Sequence, residues 1–428
     1  MKSQLPKVLH KIAGLALLGH VVSALRGAGV ERIVVVTSPS GDAVRTYAAS
    51  LNCEGVVQDR QLGTGHAARA AEAALAGFDG TLVIANGDMP LITPAIIQEC
   101  LKAQIRTGLA MLAFQASNPA QYGRVLLTPD GFLNRIVEYR DASESERAIT
   151  LCNGGCYAVD AKKFFRWAAA LKNQNVQKEY YLTDVPTIAR GDGVKCAIAL
   201  ADEISVLGVN SRGELADAEA KFQARMRARL LADGVGMTAP ETVFFAYDTV
   251  AEADVEIEPF VMFGPGVTLR SGARIRSHSH LEGAEVSSGA IIGPYARLRR
   301  GARIGENAHI GNFVEVKNTV IEKGAKANHL SYLGDARIGA GANIGAGTIT
   351  CNYDGFEKAI TEIGAGAFIG SDTALVAPVK VGAGAITAAG SVITRDVAAD
   401  SLAIARGVLT EKPGWAKAFR AKREQEKK

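Results

Sequence analysis

From Val255 to Ile393 an aliphatic side chain returns at every sixth position. Val286, Ile292, Leu298, Ile304, Ile310 and Val316 keep that spacing; Ile363, Ile369, Leu375 and Val381 repeat it, and Ile393 falls two steps later. Val255, Val261 and Val267 begin the pattern, and Tyr332, Ile338 and Ile344 bridge its middle. A helix repeats its apolar positions every 3.6 residues and an amphipathic strand every second residue. A period of six suits three short strands joined by tight corners, each giving one side chain to a shared interior: a parallel β-helix of hexapeptide repeats. Glycine often follows the aliphatic residue, at Gly293, Gly305, Gly311, Gly339, Gly345, Gly364, Gly370 and Gly382. It predicts corners that need positive φ or close backbone approach. The rhythm breaks over Lys323–Tyr332 and again over Thr350–Lys358, and a break in a regular scaffold is where a site is usually built.

Before this stretch the pattern changes. Ile33–Val36 and Thr81–Ala85 predict buried parallel strands, and Leu15–Leu25 and Ala67–Leu75 predict helices, the alternation of an α/β domain. Leu109–Ala158 predicts shorter strands at the edge of a mixed sheet. Leu215, Ala218, Phe222, Met226 and Leu230 share one helical face and predict a connecting helix. The expected division is therefore an α/β domain over 1–212, a linker helix over 213–233, and a β-helix with a basic tail over 234–428. Beyond Pro413 that tail is expected to be solvated or docked at an interface.

Composition excludes more than it identifies. With 48 basic and 44 acidic side chains the net charge is +4, too mild to call for nucleic acid. No run of apolar residues is long enough to span a membrane, and the start lacks signal-peptide order. Cys152 and Cys156 lack a second pair, or histidines, at zinc spacing. The six scattered cysteines therefore predict reduced packing thiols in a cytoplasmic protein.

Several residues could carry chemistry. Asp88 closes a strand in Asn86-Gly87-Asp88-Met89-Pro90, where open α/β sheets place their ligand crevice. A carboxylate there suits a Mg²⁺–phosphate complex, although a turn or cap role is open too. Gln61–His66 precedes a helix whose amides could receive an anion or a base edge. Lys7 is either a phosphate partner or a surface lysine. His329, flanked by Asn328, Ser331 and Tyr332, is an imidazole that a coil surface does not need; structural and catalytic roles are both open.

The ordered strings "LPKVLH", Gln58 with "QLGTGH", "NGDMPL", "YGRV", "IVEYRDA", "NGG", "EYYLTD" and "GVN" change the picture. They resemble the sugar-nucleotide pyrophosphorylase domain of the bifunctional N-acetylglucosamine-1-phosphate uridylyltransferase / glucosamine-1-phosphate N-acetyltransferase family. From Val255 to Arg406, "GPYARLRRG", "GNFVEVKN", "HLSYLGDA", "NIGAGTITCNYDG", "IGSDTALVAPV", "AAG" and "AIAR" resemble its acetyltransferase half. The resemblance implies a Rossmann-like nucleotidyltransferase domain followed by a left-handed β-helix, assembled as a homotrimer with sites between subunits. In the first half it implies Lys7 at the phosphates and Gln58, Gly63 and Thr64 at the uracil. Gly123, Glu138 and Asn153 would hold the N-acetylglucosamine moiety, and Asp88 with Asn210 would bind Mg²⁺. In the second half it implies His329 as general base, with Arg299, Lys317, Tyr332, Asn343 and Lys358 at the sugar phosphate. Ala346, Asn352, Tyr353, Ser371, Ala389 and Arg406 would line the coenzyme groove. The implied activity is acetyl transfer from acetyl-CoA to glucosamine-1-phosphate. Uridylyl transfer from UTP follows, giving UDP-N-acetylglucosamine for peptidoglycan and lipopolysaccharide synthesis.

The family opens with a strand and a glycine-rich, arginine-bearing loop that cradles phosphates through backbone amides. This sequence starts at Met1-Lys2-Ser3, past the place of that loop. A polypeptide lacking the loop is expected to be nearly inactive in uridylyl transfer, which leaves an acetyltransferase with a defective first domain as the alternative. A non-catalytic β-helix scaffold is a third reading, and it predicts no effect of His329→Ala on acetyl transfer.

Overall fold

The computed structural model describes residues 1–426. The chain divides into two compact units, Met1–Met226 and Arg227 onward, with the division inside the long helix Arg212–Ala232.

The first unit is built on a mixed sheet. Strand Gly108–Gln115 pairs in parallel with Lys195–Ala201 and antiparallel with Leu151–Asp160. Successive residues of this central strand point to opposite faces, as the two-residue period requires. Leu109, Met111 and Ala113 join one core with Trp167, Leu171 and Leu182. Ala110, Leu112 and Phe114 join the other with Val21, Ile97 and Cys100. Both faces are covered by helices, which explains a strand buried over most of its length. This overturns the expected edge: the strands of eight and ten residues lie centrally, and only the hairpin Arg124–Leu127 with Leu133–Val137 is short and peripheral.

Two further expectations shift. Thr81–Ala85 is a strand, but its ladder partner is the antiparallel Leu151–Asp160. The strand predicted over Ile33–Val36 runs Val34–Thr37, parallel to Glu54–Val57 in a separate sheet. An apolar cavity of about 330 Å³ separates these sheets, lined by Val8, Leu18, Val34, Val36, Leu82 and Ile84. Strand residues facing that space stay only partly buried.

The second unit is a left-handed parallel β-helix. Three sheets of ten, eight and eight short strands form its faces, and the chain visits them in rotation. The hexad aliphatics all turn inward and are buried, from Val255 to Ile393. Where an aliphatic is missing between Val381 and Ile393, buried Thr387 fills the position, and its hydroxyl accepts from the Gly370 amide at 3.0 Å.

Three details correct the hexad reading. Tyr332 faces outward, and its neighbour Leu333 occupies the core. Nor is Lys323–Tyr332 a break: Ile321, Ala327 and Leu333 keep the spacing, and the small Ala327 hid it. The irregularity is one residue dropped between Val316 and Ile321 and another between Leu333 and Ile338, whereas the loop over Thr350–Lys358 is a real interruption. Most glycines after the aliphatic do not adopt positive φ, Gly293 excepted. They are glycine because coils stack closely: a Cβ at Gly370 would meet the Ala389 nitrogen and the Thr387 oxygen at 2.5 Å each.

The corner between the first two faces does carry positive φ, at Phe260, His278, Tyr295, Phe313 and Leu330. The first four rings stack coil upon coil, with centroids 5.1, 4.8 and 5.3 Å apart. Each pair is worth about 0.5–1.5 kcal/mol, comparable to the cost of holding a side-chain-bearing residue left-handed. The basic tail forms an exposed helix, Trp415–Glu426.

Candidate active sites

A cavity of about 240 Å³ opens in the first unit at the ends of the central strands. It gathers Thr64, Asp88, Gly123, Glu138, Asn153 and Asn210, six of the residues singled out in sequence. Lys7 joins them: its ammonium donates to Asp88 Oδ2 at 2.5 Å and to Asn210 Oδ1 at 2.8 Å. A cation thus already bridges two oxygens on separate segments, and this donor set fits Mg²⁺, which takes few protein ligands. Among the described residues no cluster of three or more His, Cys, Asp or Glu could hold a metal by itself.

Gln58 and Gly63 stand beside the cavity. The Gln58 amide donates to the Gly63 carbonyl at 3.2 Å and lies 3.0 Å from His66 Nδ1. Gly63 has φ of 107°, and a Cβ there would sit 2.7 Å from the Tyr180 carbonyl. Bonds from Tyr180 N to Leu62 O (2.8 Å) and from Leu182 N to Thr64 Oγ1 (3.0 Å) knit this turn to the 180–182 segment. The helix begins at Thr64 rather than Ala67. The Gly65 amide already donates to Tyr180 O, so the expected row of free amides is not fully available.

On the opposite wall, a buried Arg124 guanidinium donates to the carbonyls of Pro119, Ala120, Tyr122 and Arg147. A buried cation is tolerable only when so satisfied, and the result is a clamped loop that presents Gly123. A Cβ at 123 would lie 3.5 Å from both Glu138 carboxylate oxygens; glycine leaves that carboxylate open to the cavity. Burial pushes the Glu138 carboxyl above its ordinary range. The hydrogen bond from Thr183 (3.0 Å) opposes this, and Asp184, Asp141 and Glu179 reinforce it. Asn86, Tyr122, Thr183 and Gly208 also line the cavity. Sequence reasoning quoted the strings that contain them without giving them roles. Tyr157 had no signal at all, being one more apolar-looking position in a buried strand.

In the second unit, His329 ends strand Lys326–His329 on the corner after the first face. It is in register with Asn312, whose Oδ1 lies 2.7 Å from His329 Nδ1. An amide oxygen only accepts, so this contact suits the neutral tautomer in which Nδ1 donates to Asn312 and Nε2 is the acceptor. Sequence reasoning missed Asn312, although it lies in "GNFVEVKN". The registers Ala327↔Ile344↔Ile369↔Thr387 place Ala346, Ser371 and Ala389 on the following coils at the same corner. His329 therefore heads a column of small residues. Arg406 caps that column, donating to Ala389 O at 2.9 Å.

Lys317 and Tyr332 project from the second face, where Lys317↔Gly334 and Glu315↔Tyr332 pair. Lys358 reaches the same place from the protruding loop: the Lys317 ammonium beside it holds its pKa below the ordinary lysine value, and Asp335 and Tyr332 oppose the shift. Two ammonium groups held together are poised for an anion. Arg299 directly follows the neighbouring strand Arg297–Leu298 and pairs with Glu315 at 2.8 Å. Asn352 is buried at the root of the loop, where its amide donates to Asp335 Oδ2; Tyr353 is exposed beyond it. Within one chain the structure does not bring everything together. Asn343 faces outward on the first face in register with Lys326 and Phe368, and the Asn352–Tyr353 loop leaves the far end of the second-face strand Ile349–Cys351. The cysteines are free, and all but Cys351 are buried. Among the described residues no helix is long and apolar enough to cross a membrane.

Comparison with known proteins agrees with both units. The MobA-like NTP transferase domain profile matches residues 1–152, and the bacterial transferase hexapeptide profile (six repeats) matches residues 283–318. The chain is similar to the bifunctional protein GlmU of Rhodospirillum rubrum, with 53% identity over 98% of this chain and 94% of that one. It is likewise similar to those of Paracoccus denitrificans (51%, over 97% and 93%) and Paramagnetospirillum magneticum (49%, over 98% and 94%).

Proposed function

The chain belongs to the family of bifunctional GlmU proteins, and from that premise we propose how its residues divide the work. It is a transferase with two activities. One transfers acetyl from acetyl-CoA to glucosamine-1-phosphate; the other transfers uridylyl from UTP to N-acetylglucosamine-1-phosphate, yielding UDP-N-acetylglucosamine and pyrophosphate.

In the acetyl transfer, Lys317 and Lys358, with Arg299 and Tyr332, hold the sugar phosphate. His329 Nε2 accepts a proton from the 2-amino group as its lone pair attacks the thioester carbonyl carbon. The C–S bond then breaks, and coenzyme A leaves as the thiol after taking up a proton. The single observation that carries this reading is the orientation of His329 by Asn312 at the head of the Ala346–Ser371–Ala389 column, which suits an extended coenzyme. A homotrimer, with a neighbouring subunit closing the groove beside His329, accounts for Asn343 and Tyr353 lying apart from the other site residues on a single prism.

In the uridylyl transfer, Gln58, Gly63 and Thr64 face the uracil, and Gly123, Glu138 and Asn153 hold the sugar. A sugar-phosphate oxygen attacks the α-phosphorus of UTP, and the bond to the β-phosphate breaks. Lys7 neutralises phosphate charge, work of the positioning kind that dominates such transfers. Mg²⁺ held by Asp88 and Asn210 would add charge neutralisation when bound. The acetyltransferase-only alternative is not favoured, because the NTP transferase domain is present and residues proposed for the transfer line one cavity in it. Free cysteines and these substrates suit a cytoplasmic setting.

The test is His329→Ala. Acetyl transfer should fall about 10²–10⁴-fold, the range for losing a general base, with uridylyl transfer unchanged. Unchanged acetyl transfer would favour the scaffold reading.

A further inference from the structure

Tyr157 lies in the strand Leu151–Asp160, packed among Leu109, Met111, Leu171 and Leu182. It is 3% exposed, yet its hydroxyl has no hydrogen-bond partner among the described residues. The Asn153 side chain lies beside the phenol without meeting the geometry of a hydrogen bond. Among the described residues five other buried side-chain atoms are orphaned, on His10, Asp248, Ser279, Asn328 and Thr361. None of those residues lines the first unit's cavity; Tyr157 does, as do Asn153 and Glu138. A buried hydroxyl without a partner is destabilising, and phenylalanine would fill the same space without that penalty. The cavity wall therefore carries a polar atom that no protein group satisfies in hydrogen-bond geometry, at a position where an occupant of the cavity can supply the partner.

We propose that the Tyr157 hydroxyl is a sugar-recognition contact, donating a hydrogen bond to an uncharged acceptor oxygen of the bound hexose. This deepens the uridylyltransferase reading of the cavity and rests on it. The partner is neutral rather than a phosphate for an electrostatic reason. Burial, and then the nearby Glu138 carboxylate, push the phenol above its ordinary range, so it stays protonated and sits in surroundings unfavourable to a second anion. Either the acetamido carbonyl or a ring hydroxyl has the required chemistry.

The test is Tyr157→Phe in the full chain. Removing only the hydroxyl should raise KM for N-acetylglucosamine-1-phosphate about 3- to 10-fold, the loss of one neutral hydrogen bond. KM for UTP and the acetyl-transfer rate should not move, and thermal stability should hold or rise. A merely structural hydroxyl predicts the reverse: a lower melting temperature and an unchanged KM for the sugar. Glucose-1-phosphate identifies the acceptor. If the wild-type advantage disappears with it, the acetamido carbonyl is the partner; if it persists, a ring hydroxyl is. Calorimetric titration of N-acetylglucosamine-1-phosphate separates the two levels of inference. Wild-type protein that binds no better than Tyr157→Phe overturns this contact alone, and wild-type protein that does not bind the sugar phosphate overturns the reading of the cavity with it.

Discussion

Glu138 shows what the first unit gives up to keep a polar cavity. Its carboxyl is raised above the ordinary range chiefly by burial, so the folded state holds that proton more tightly than the unfolded chain does. The stability it contributes is complete below the unfolded value, about 4.3, and is lost as pH rises through the higher folded value. As pH rises, the wild type must bury a charge there that glutamine would spare it. Melting temperatures of wild type and Glu138→Gln measured from pH 4 to pH 8 should diverge, with the variant gaining as pH rises. Parallel curves would show that the carboxyl is not strained. The same variant should raise KM for the sugar phosphate about tenfold, as expected when a charged hydrogen-bonding group is lost from a binding site. Glu138 was legible in the sequence because its string is distinctive. The forces that tune it come from Thr183, Asp184 and Asp141, which only folding brings near, and no spacing along the chain reports them.

At the scale of elements, the β-helix separates two uses of glycine that look alike in sequence. Gly345 lacks positive φ, and its Cβ would fall 2.5 Å from Ser371 N and 2.6 Å from Ile369 O. Gly341 has φ of 67° and open space around a Cβ. Gly345→Ala must force adjacent coils apart and should cost about 3 kcal/mol or more, in the class of severe overpacking. Gly341→Ala should cost about 1–2 kcal/mol, the left-handed penalty alone. Denaturant unfolding of the two variants gives the ranking, and equal losses would contradict the close-approach account. This is also where reading the sequence succeeded and failed for identifiable reasons. The six-residue period sufficed to find the prism because each coil buries one aliphatic per face. It misplaced Tyr332, since one dropped residue shifts the phase by a single position and an aromatic can pass for a core residue. It took Lys323–Tyr332 for a break because Ala327 fills an inward position with too small a side chain to register. In the first unit, apolar runs revealed strands but not their partners. Thr81–Ala85 reads the same whether its neighbour is parallel or antiparallel, and the long-range pairing with Leu151–Asp160 decides it.

For the molecule as a whole, the two sites draw on separate sets of residues, each within its own compact unit. The acetylated sugar phosphate is a small, charged, soluble molecule, and neither site encloses it in a cavity without an exit. Inactivating one site should therefore leave the other chemically intact, and the two reactions should be separable between polypeptides. His329→Ala removes the base for acetyl transfer. Asp88→Ala removes one of the oxygens that the Lys7 ammonium bridges and should lower uridylyl transfer about 10²-fold or more by losing charge positioning in the transfer. Each variant alone should fail to convert glucosamine-1-phosphate, acetyl-CoA and UTP to UDP-N-acetylglucosamine at an appreciable rate. An equimolar mixture should recover the conversion after a lag, during which free N-acetylglucosamine-1-phosphate accumulates in solution. Chromatography of the time course detects both the lag and the intermediate. If each variant keeps its own half-reaction but the mixture stays inactive, the intermediate must pass within one assembly without release, and the independence of the two units would have to be abandoned.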